Sequence, residues 1–179
     1  RFPLITQAES KVANVRVRNV GTLCGNLCFA EPHSDPATFL LLYDARVEVH
    51  GFSGARTFPV EQLAVGPYET CLEDGEMLAS VSVPQLGPEI KAAYQKFGYH
   101  QRPTLGFGVA VRLENGSISE ARIAVIGLGY VGLPLALALA RHFPVKGFDA
   151  DAARRADLQA GLDCTGEVSA EILQASTLE

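Results

Sequence analysis

Apolar and polar positions change rhythm along the chain. Residues 1–13 are mixed and predict the close of a helix or the cap of an edge. From Val15 to Arg18, valine and arginine alternate, which predicts a half-exposed strand. A glycine-bearing loop follows. The Asp35–Pro36 turn then leads into the apolar run Ala37 to Ala45, which predicts a short buried helix. RVEVHGF and ARTFPV predict strands about a Gly/Ser turn at 51–54, and MLASVSVP a strand stopped by Pro84. YQKFGYHQ (94–101) and TLGFGVAVRL (104–113) predict two more, the glycines of the second allowing close backbone approach. Asn115–Gly116 folds the chain back onto SISEARIAVIG, a strong hairpin signal between apolar strands. Residues 1–120 therefore read as β-rich with few helices.

Past Gly127 the period becomes helical. Residues 130–142, YVGLPLALALARH, predict a buried helix with Pro134 tolerated near its start and Pro144 beyond its end. VKGFDA predicts a short strand ending in an acid. Residues 151–161 predict a second helix, and TGEVSAEILQAS a third opened by Thr165 or Ser169.

Composition narrows the function classes. A hydrophobic share of 47% and charged share of 20% fit a globular protein of one or two domains. The net charge of −5 lacks the basic surplus that binding to a nucleic-acid backbone needs. The most apolar run, Leu133 to Ala140, is too short to span a bilayer, so no membrane segment and a cytoplasmic location are expected. Cys24 and Cys28 lack a second close pair, so the four cysteines predict ordinary packing and no metal site. Neither a GxSxG elbow nor a GxxxxGK[ST] phosphate loop occurs.

Two stretches carry candidate cofactor chemistry. In the first, RIAVIG runs into Gly127-x-Gly129-x-x-Gly132, then helix, strand and Asp149. Gly127 permits the tight turn, Gly129 clears space for a pyrophosphate, and Gly132 lets the helix pack closely on the strand. Phosphates would sit at the helix N-terminus, where amides and the dipole favour negative charge. Asp149 is placed to accept ribose hydroxyls and to disfavour a 2′-phosphate, which selects NAD over NADP.

IAVIGLGYVGLPLALALARHFPVKGFDAD with LQAGLDCTGEVS resembles the N-terminus of the nucleotide-sugar 6-dehydrogenases, over about residues 122–178. That resemblance implies NAD held by Gly127, Gly129, Tyr130, Val131 and Gly132, with Asp149 on the ribose and Arg154 toward the adenosine end. The family's catalytic cysteine lies further along its chains, and Cys164 is in the wrong part to be that residue. No catalytic residue is assigned.

The second stretch is RNVGTLCGNLCFAEPHSDP. Gly21 and Gly25 flank a turn whose amides could face a phosphate, with the Thr22 hydroxyl as a further donor; a purely structural loop fits the same residues. Asp35 could accept a hydroxyl or simply cap the helix after it. The stretch resembles the second FAD loop of the flavin subunit in molybdenum hydroxylases, the xanthine and carbon monoxide dehydrogenase group. GPYETCLEDGEMLASVSVP and YQKFGYHQRPTLGFGVAVRLENGSISEARIAV resemble later segments of that subunit, so the likeness runs from about 14 to 125. It implies that Thr22, Gly25 and Asn26 meet the FAD pyrophosphate or ribityl region, that Asp35 binds FAD hydroxyls, and that Lys96 and Arg102 lie toward the isoalloxazine. His33 and His100 are secondary candidates near the same cofactor. Cys24 replaces a glycine common in the family. The family's first FAD loop belongs upstream of residue 1, so each cofactor site is expected to be incomplete here.

The expected fold is α+β: a β-rich partial flavin-binding domain joined through a shared strand to a partial Rossmann βαβ unit. The expected divisions are 1–57 (second half of a FAD-binding domain), 58–120 (β-rich start of the flavin subunit's C-terminal domain) and 121–179 (partial NAD-binding unit). The expected function is a fragment of a FAD-binding electron-transfer subunit, inactive alone, with iron–sulfur and molybdenum-cofactor subunits as partners. The alternatives are an NAD-binding fragment of a nucleotide-sugar 6-dehydrogenase and a non-catalytic hybrid scaffold.

Overall fold

The computed structural model describes residues 2–32, 34–99, 102–143, 145–149 and 151–178. His33 and His100 lie outside the described residues. Four helices precede the first strand: α1 (Pro3–Glu9), α2 (Val15–Val20), α3 (Leu23–Phe29) and α4 (Asp35–Leu42). The expectation of few helices is therefore corrected. Valine–arginine alternation at 15–18 suggested a strand, but the chain turns helical because Asn14 caps it. Its Oδ1 accepts from the amides of Arg16 and Val17 at 3.0 and 3.3 Å. Val15, Val17 and Val20 are all exposed, so the alternation never buried a face.

The glycine-bearing loop is likewise helical. Thr22 caps α3, its Oγ1 accepting from the Gly25 amide at 3.0 Å. Helix α4 forms where its apolar run predicts it, with Pro36 in its first turn and nearly every residue buried.

Strands β1 (Arg46–Gly51), β2 (Gly54–Pro59) and β5 (Met77–Ser82) form an antiparallel sheet of order β2-β1-β5. A 3-10 turn, Val60–Gln62, and the short pair β3 (Ala64–Gly66) and β4 (Glu69–Thr70) lie between β2 and β5 in the chain. The second main sheet is β6 (Ile90–Tyr99), β7 (Arg102–Glu114), β8 (Ser117–Ile126) and β9 (Val145–Phe148), in that spatial order. Asn115 and Gly116, both at positive φ, turn β7 into β8 as the hairpin signal requires.

Strand β8 pairs antiparallel with β7 and parallel with β9, across the helix α5 (Gly132–Ala140). The fold is α+β, but no separate Rossmann unit stands apart. Strand β9 is added to the sheet of the flavin-like part, and β7 fills the side where a third parallel strand would lie. Helices α6 (Ala152–Gln159) and α7 (Ala170–Gln174) complete the chain, and Leu178 forms a parallel bridge to Val145. Strands β2 and β8 run through positions 57 and 120, so the chain does not change element at either expected division.

Alternation along β8 explains how one strand serves two cores. Ala124 and Ile126 face the larger core with Phe39, Leu40, Leu42, Val47, Val49 and Tyr94. Ile123 and Val125 face the smaller core with Leu133, Ala136, Leu137 and Ala140, which recur at helical spacing on one face of α5. Close contact of α4 with β7 depends on glycine. A Cβ at Gly106 would lie 2.8 Å from Thr38 Oγ1, and one at Gly108 would lie 2.6 Å from Leu42 Cδ1.

Candidate functional site

The two candidate cofactor turns are built differently. In the first, Gly21, Thr22 and Gly25 are exposed at the start of α3, while Asn26 turns inward and accepts the Ser34 hydroxyl at 2.5 Å. Thr22 Oγ1 accepts the Gly25 amide as the helix cap, and its hydroxyl proton remains available as a donor.

Asp35 stands behind this turn with 4% of its surface exposed. Its Oδ1 accepts from the Tyr94 hydroxyl at 2.5 Å, and its Oδ2 pairs with Lys96 Nζ at 2.8 Å. Lys96 also donates to the Lys11 carbonyl at 3.1 Å. The structure thus brings together two expected site residues, Asp35 and Lys96, but spends them on each other. Burial, and then the Asp35 carboxylate, holds the Tyr94 phenol well above its ordinary pKa. Burial, and then Asp35, also raises the Glu9 carboxyl. Tyr94 escaped the sequence reading although a signal existed: two residues from Lys96 on β6, it must share that face. Arg102 opens β7, and its side chain lies outside the described residues.

The second turn joins β8 to α5. Gly127 has φ +90°, the left-handed region that favours glycine. A Cβ at Gly129 would meet nothing within 4 Å, so the approach to the turn is open. Tyr130 and Val131 are exposed beside it, and Gly132 is buried at the first turn of α5. Asp149, just past β9, does not stand free. Its Oδ2 accepts from the Leu128 amide at 2.8 Å and its Oδ1 from the Asp151 amide at 3.0 Å.

Arg154 is a clamp for the same turn. Its guanidinium donates to the Leu128 carbonyl from Nε at 3.2 Å and from Nη2 at 2.8 Å, and pairs with Asp163 at 2.7 Å. Asp163 also accepts from the Thr165 hydroxyl and from the amides of Thr165, Glu167 and Val168. Burial opposes both charges. Their mutual contact more than offsets this for Arg154, whose pKa rises; for Asp163 the Thr165 and Arg154 donors outweigh it, and its pKa falls far below the ordinary carboxylate range. Asp163 was missed in the sequence because its donors come from the loop folding around it.

A small cleft of about 30 Å³ is lined by Asn26, Ser34 and Ala37 on one side, Glu61 and Ala64 on another, and Ile126 at the end of β8. Arg155 bridges its rim, donating to the Asp149 carbonyl and, at 3.3 Å, to the Ala64 carbonyl. Among the described residues no cluster of His, Cys, Asp or Glu could hold a metal ion. Cys24, Cys28 and Cys71 are half-buried against the larger core as free thiols, and burial raises Cys28. No described helix is long and apolar enough to cross a membrane.

Residues 1–86 match the family described as the FAD binding domain in molybdopterin dehydrogenase, a stretch that contains Thr22, Gly25, Asn26 and Asp35. The chain is part of a FAD-binding subunit of the molybdenum-hydroxylase type. The chain is 34% identical over 127 residues to the xanthine dehydrogenase FAD-binding subunit of Escherichia coli O157:H7, an alignment covering 69% of it and 44% of that protein. It thus spans under half the length of the curated relatives it matches. A carbon monoxide dehydrogenase from Hydrogenophaga pseudoflava superposes with a TM-score of 0.67 at 30% identity, over 72% of this chain and 46% of that one. Reconstituted CO dehydrogenase from Oligotropha carboxidovorans gives a TM-score of 0.70 over 98% of this chain and 68% of that one. Its 21% identity makes this a likeness of fold alone. The C-terminal stretch has a second, shorter likeness: 47% identity over 62 residues to UDP-N-acetyl-D-glucosamine 6-dehydrogenase of Pseudomonas aeruginosa, covering 34% of this chain and 15% of that protein.

Proposed function

We propose that the chain serves as the flavin-holding part of an electron-transfer subunit that works with iron–sulfur and molybdenum-cofactor subunits. The observation that carries this reading is the FAD-domain match over residues 1–86, which includes the exposed turn at the start of α3. The residues fit the group in part. Gly21, Thr22 and Gly25 are exposed at the turn and Thr22 keeps a hydroxyl donor for a diphosphate, while the Gly21 amide is bonded to the Val17 carbonyl and the Gly25 amide to Thr22 Oγ1. Asp35, with both oxygens engaged, supports the turn from behind and joins it to β6 through Lys96. Bound FAD would supply the electron-accepting ring. The chain's own part is to hold the diphosphate and fix the turn against the sheet, within a division into 1–57, 58–120 and 121–179. Titration of the full chain with FAD should quench flavin fluorescence saturably, and Thr22→Ala with Asn26→Ala should weaken that binding. Quenching that never saturates, or that ignores both substitutions, refutes the assignment.

A second reading is supported by one observation, the 62-residue likeness over a strand–glycine turn–helix–strand unit. In this reading the 127–132 turn binds the diphosphate of NAD, Gly129 leaves room for it, and Asp149 turns its remaining acceptor capacity to the adenosine ribose. Arg154 acts by holding Leu128 in place. Calorimetric titration with ADP-ribose tests it: Gly129→Val should abolish binding without altering the thermal midpoint. An equal response from both proteins would rule the reading out.

A further inference from the structure

We propose that Ser34 is a positioning residue for diphosphate recognition: its hydroxyl turns the Asn26 carboxamide so that this side chain offers only donors to an anion. The inference rests on the flavin-diphosphate reading above and adds what sets the polarity of that turn. Ser34 stands immediately before α4, where a serine hydroxyl ordinarily accepts an amide of the first turn and stabilises the helix. No such bond forms here. The hydroxyl instead reaches eight positions back and donates to Asn26 Oδ1 at 2.5 Å. Asp35, the next residue, likewise engages both oxygens outside its own helix, with Tyr94 and Lys96. The start of α4 thus gives up its own cap and ties α3 to β6.

A carboxamide has two unlike ends. Its oxygen accepts and its nitrogen carries two donors, and half a turn about the last side-chain bond exchanges them. Facing a diphosphate, one orientation attracts and the other repels. The Ser34 proton decides between them, because only the oxygen can accept it. Nδ2 is left on the other side. Among the described residues it has no protein partner, and no buried side-chain nitrogen or oxygen lacks one, so Nδ2 reaches solvent. Asn26 follows Thr22 by four residues, the spacing that makes two side chains neighbours on a helix, and the Thr22 hydroxyl proton is the other donor available there. The backbone keeps the contact in place. Helix α3 ends at Ala30, whose φ of 47° lies in the left-handed region, and the Ser34 amide donates to the Glu31 carbonyl at 2.9 Å. The chain therefore returns to the side of α3 that carries Asn26.

Orientation and simple fastening make different demands. A fastening between α3 and α4 needs only that positions 26 and 34 stay bonded; the direction of the carboxamide matters only where an anion meets it. Asn26→Asp keeps an acceptor for the Ser34 hydroxyl and removes both donors, so a fastening survives it and an anion site does not. Asn26→Ala removes acceptor and donors together, after which Ser34 has nothing to orient. Ser34→Ala leaves the donors in place and frees the carboxamide to turn.

The test measures FAD affinity of the full chain by flavin fluorescence and its thermal midpoint by circular dichroism. Ser34→Ala should weaken FAD binding about fivefold, the worth of one side-chain hydrogen bond, while Ser34→Thr, which keeps the hydroxyl, should bind as the unaltered chain does. Combined with Asn26→Ala, Ser34→Ala should cost nothing further, because the group it orients is gone. Asn26→Asp should weaken binding about a hundredfold, more than Asn26→Ala, with the thermal midpoint unchanged. Equal losses from Ser34→Ala with and without Asn26→Ala, or no loss at all, overturn the positioning role while the flavin reading stands. Should Ser34→Ala unfold the chain, the position 26 variants decide: a loss in Asn26→Asp no greater than in Asn26→Ala overturns the role in the same way. Absence of saturable FAD binding in the unaltered chain overturns both.

Discussion

Asp35 and Asp163 are both buried carboxylates with a cationic partner, yet they hold their regions in opposite ways. Asp35 reaches 61 positions along the chain to Lys96 and 59 to Tyr94, fastening the helical N-terminal part to the second sheet. Asp163 reaches only 9 positions back to Arg154, and its other donors lie within five residues. The cores differ in the same sense. The larger gathers residues from α1 to β8, while the smaller is built mainly from α5, β8 and β9. The flavin-like part is fixed by contacts distant in sequence, and the C-terminal part organises itself locally and borrows one strand. Strand β8 joins the two because it offers one face to each core.

The comparison breaks most readily at the cores. Phe39→Ala should cost about 3–5 kcal/mol and lower amide protection in both main sheets. Leu133→Ala should cost about 2–5 kcal/mol, with its loss of hydrogen-exchange protection confined to α5, β9 and the residues after them. Equal loss over the same amides in both variants would make the two cores one cooperative unit.

The two ion pairs sharpen it next. Lys96→Met strands Asp35 in the interior and should destabilise the whole chain by about 3 kcal/mol in urea titration. Arg154→Met should free the Leu128 carbonyl and the 160–168 loop, visible as exchange there, while β1, β2 and β5 keep their protection. Glycines give a smaller contrast. Gly108→Ala forces a methyl against Leu42 and should cost about 1–3 kcal/mol, whereas Gly129→Ala, in open space, should leave the thermal midpoint within error.

The smallest expected effect is on acid stability. Asp163 and Glu76 both have folded pKa values below their ordinary 3.8 and 4.5. Each therefore contributes stability that is complete above the ordinary value and is lost as pH falls through the depressed one. Glu76, paired with the exposed Arg56 guanidinium and lowered to about 2, loses its contribution gradually below pH 4.5, and salt should blunt it. Asp163 should keep its charge into stronger acid, so that the 160–168 loop outlasts the segment held by the Arg56–Glu76 pair during acid titration followed by exchange.

Much of the architecture was legible in residue order. The strands of the two main sheets, the Asn115–Gly116 hairpin, the apolar α5 and the shared role of β8 follow from period, turn chemistry and the glycine–acid spacing, whereas the short β3–β4 pair was not read. The α2 segment was not, because β-branched alternation imitates a strand and only the Asn14 cap reveals a helix. Nor was the α3 helix, where glycines that suggest a loop are tolerated behind the Thr22 cap. At the candidate sites, sequence named Asp35, Lys96, Asp149 and Arg154, but their partners were out of its reach.

Local chemistry by itself determined which segments turn, pair and coil, since those choices are made within a few residues. Tertiary structure alone decided what the charged groups do. It turned Asp35 and Lys96 from independent candidates into a buried pair, bound Arg154 to the turn beside it, and opened a cleft between layers drawn from distant parts of the chain. The physical reason is that a buried charge must find its partner wherever the fold brings one, and that distance is not encoded in the neighbours of either residue.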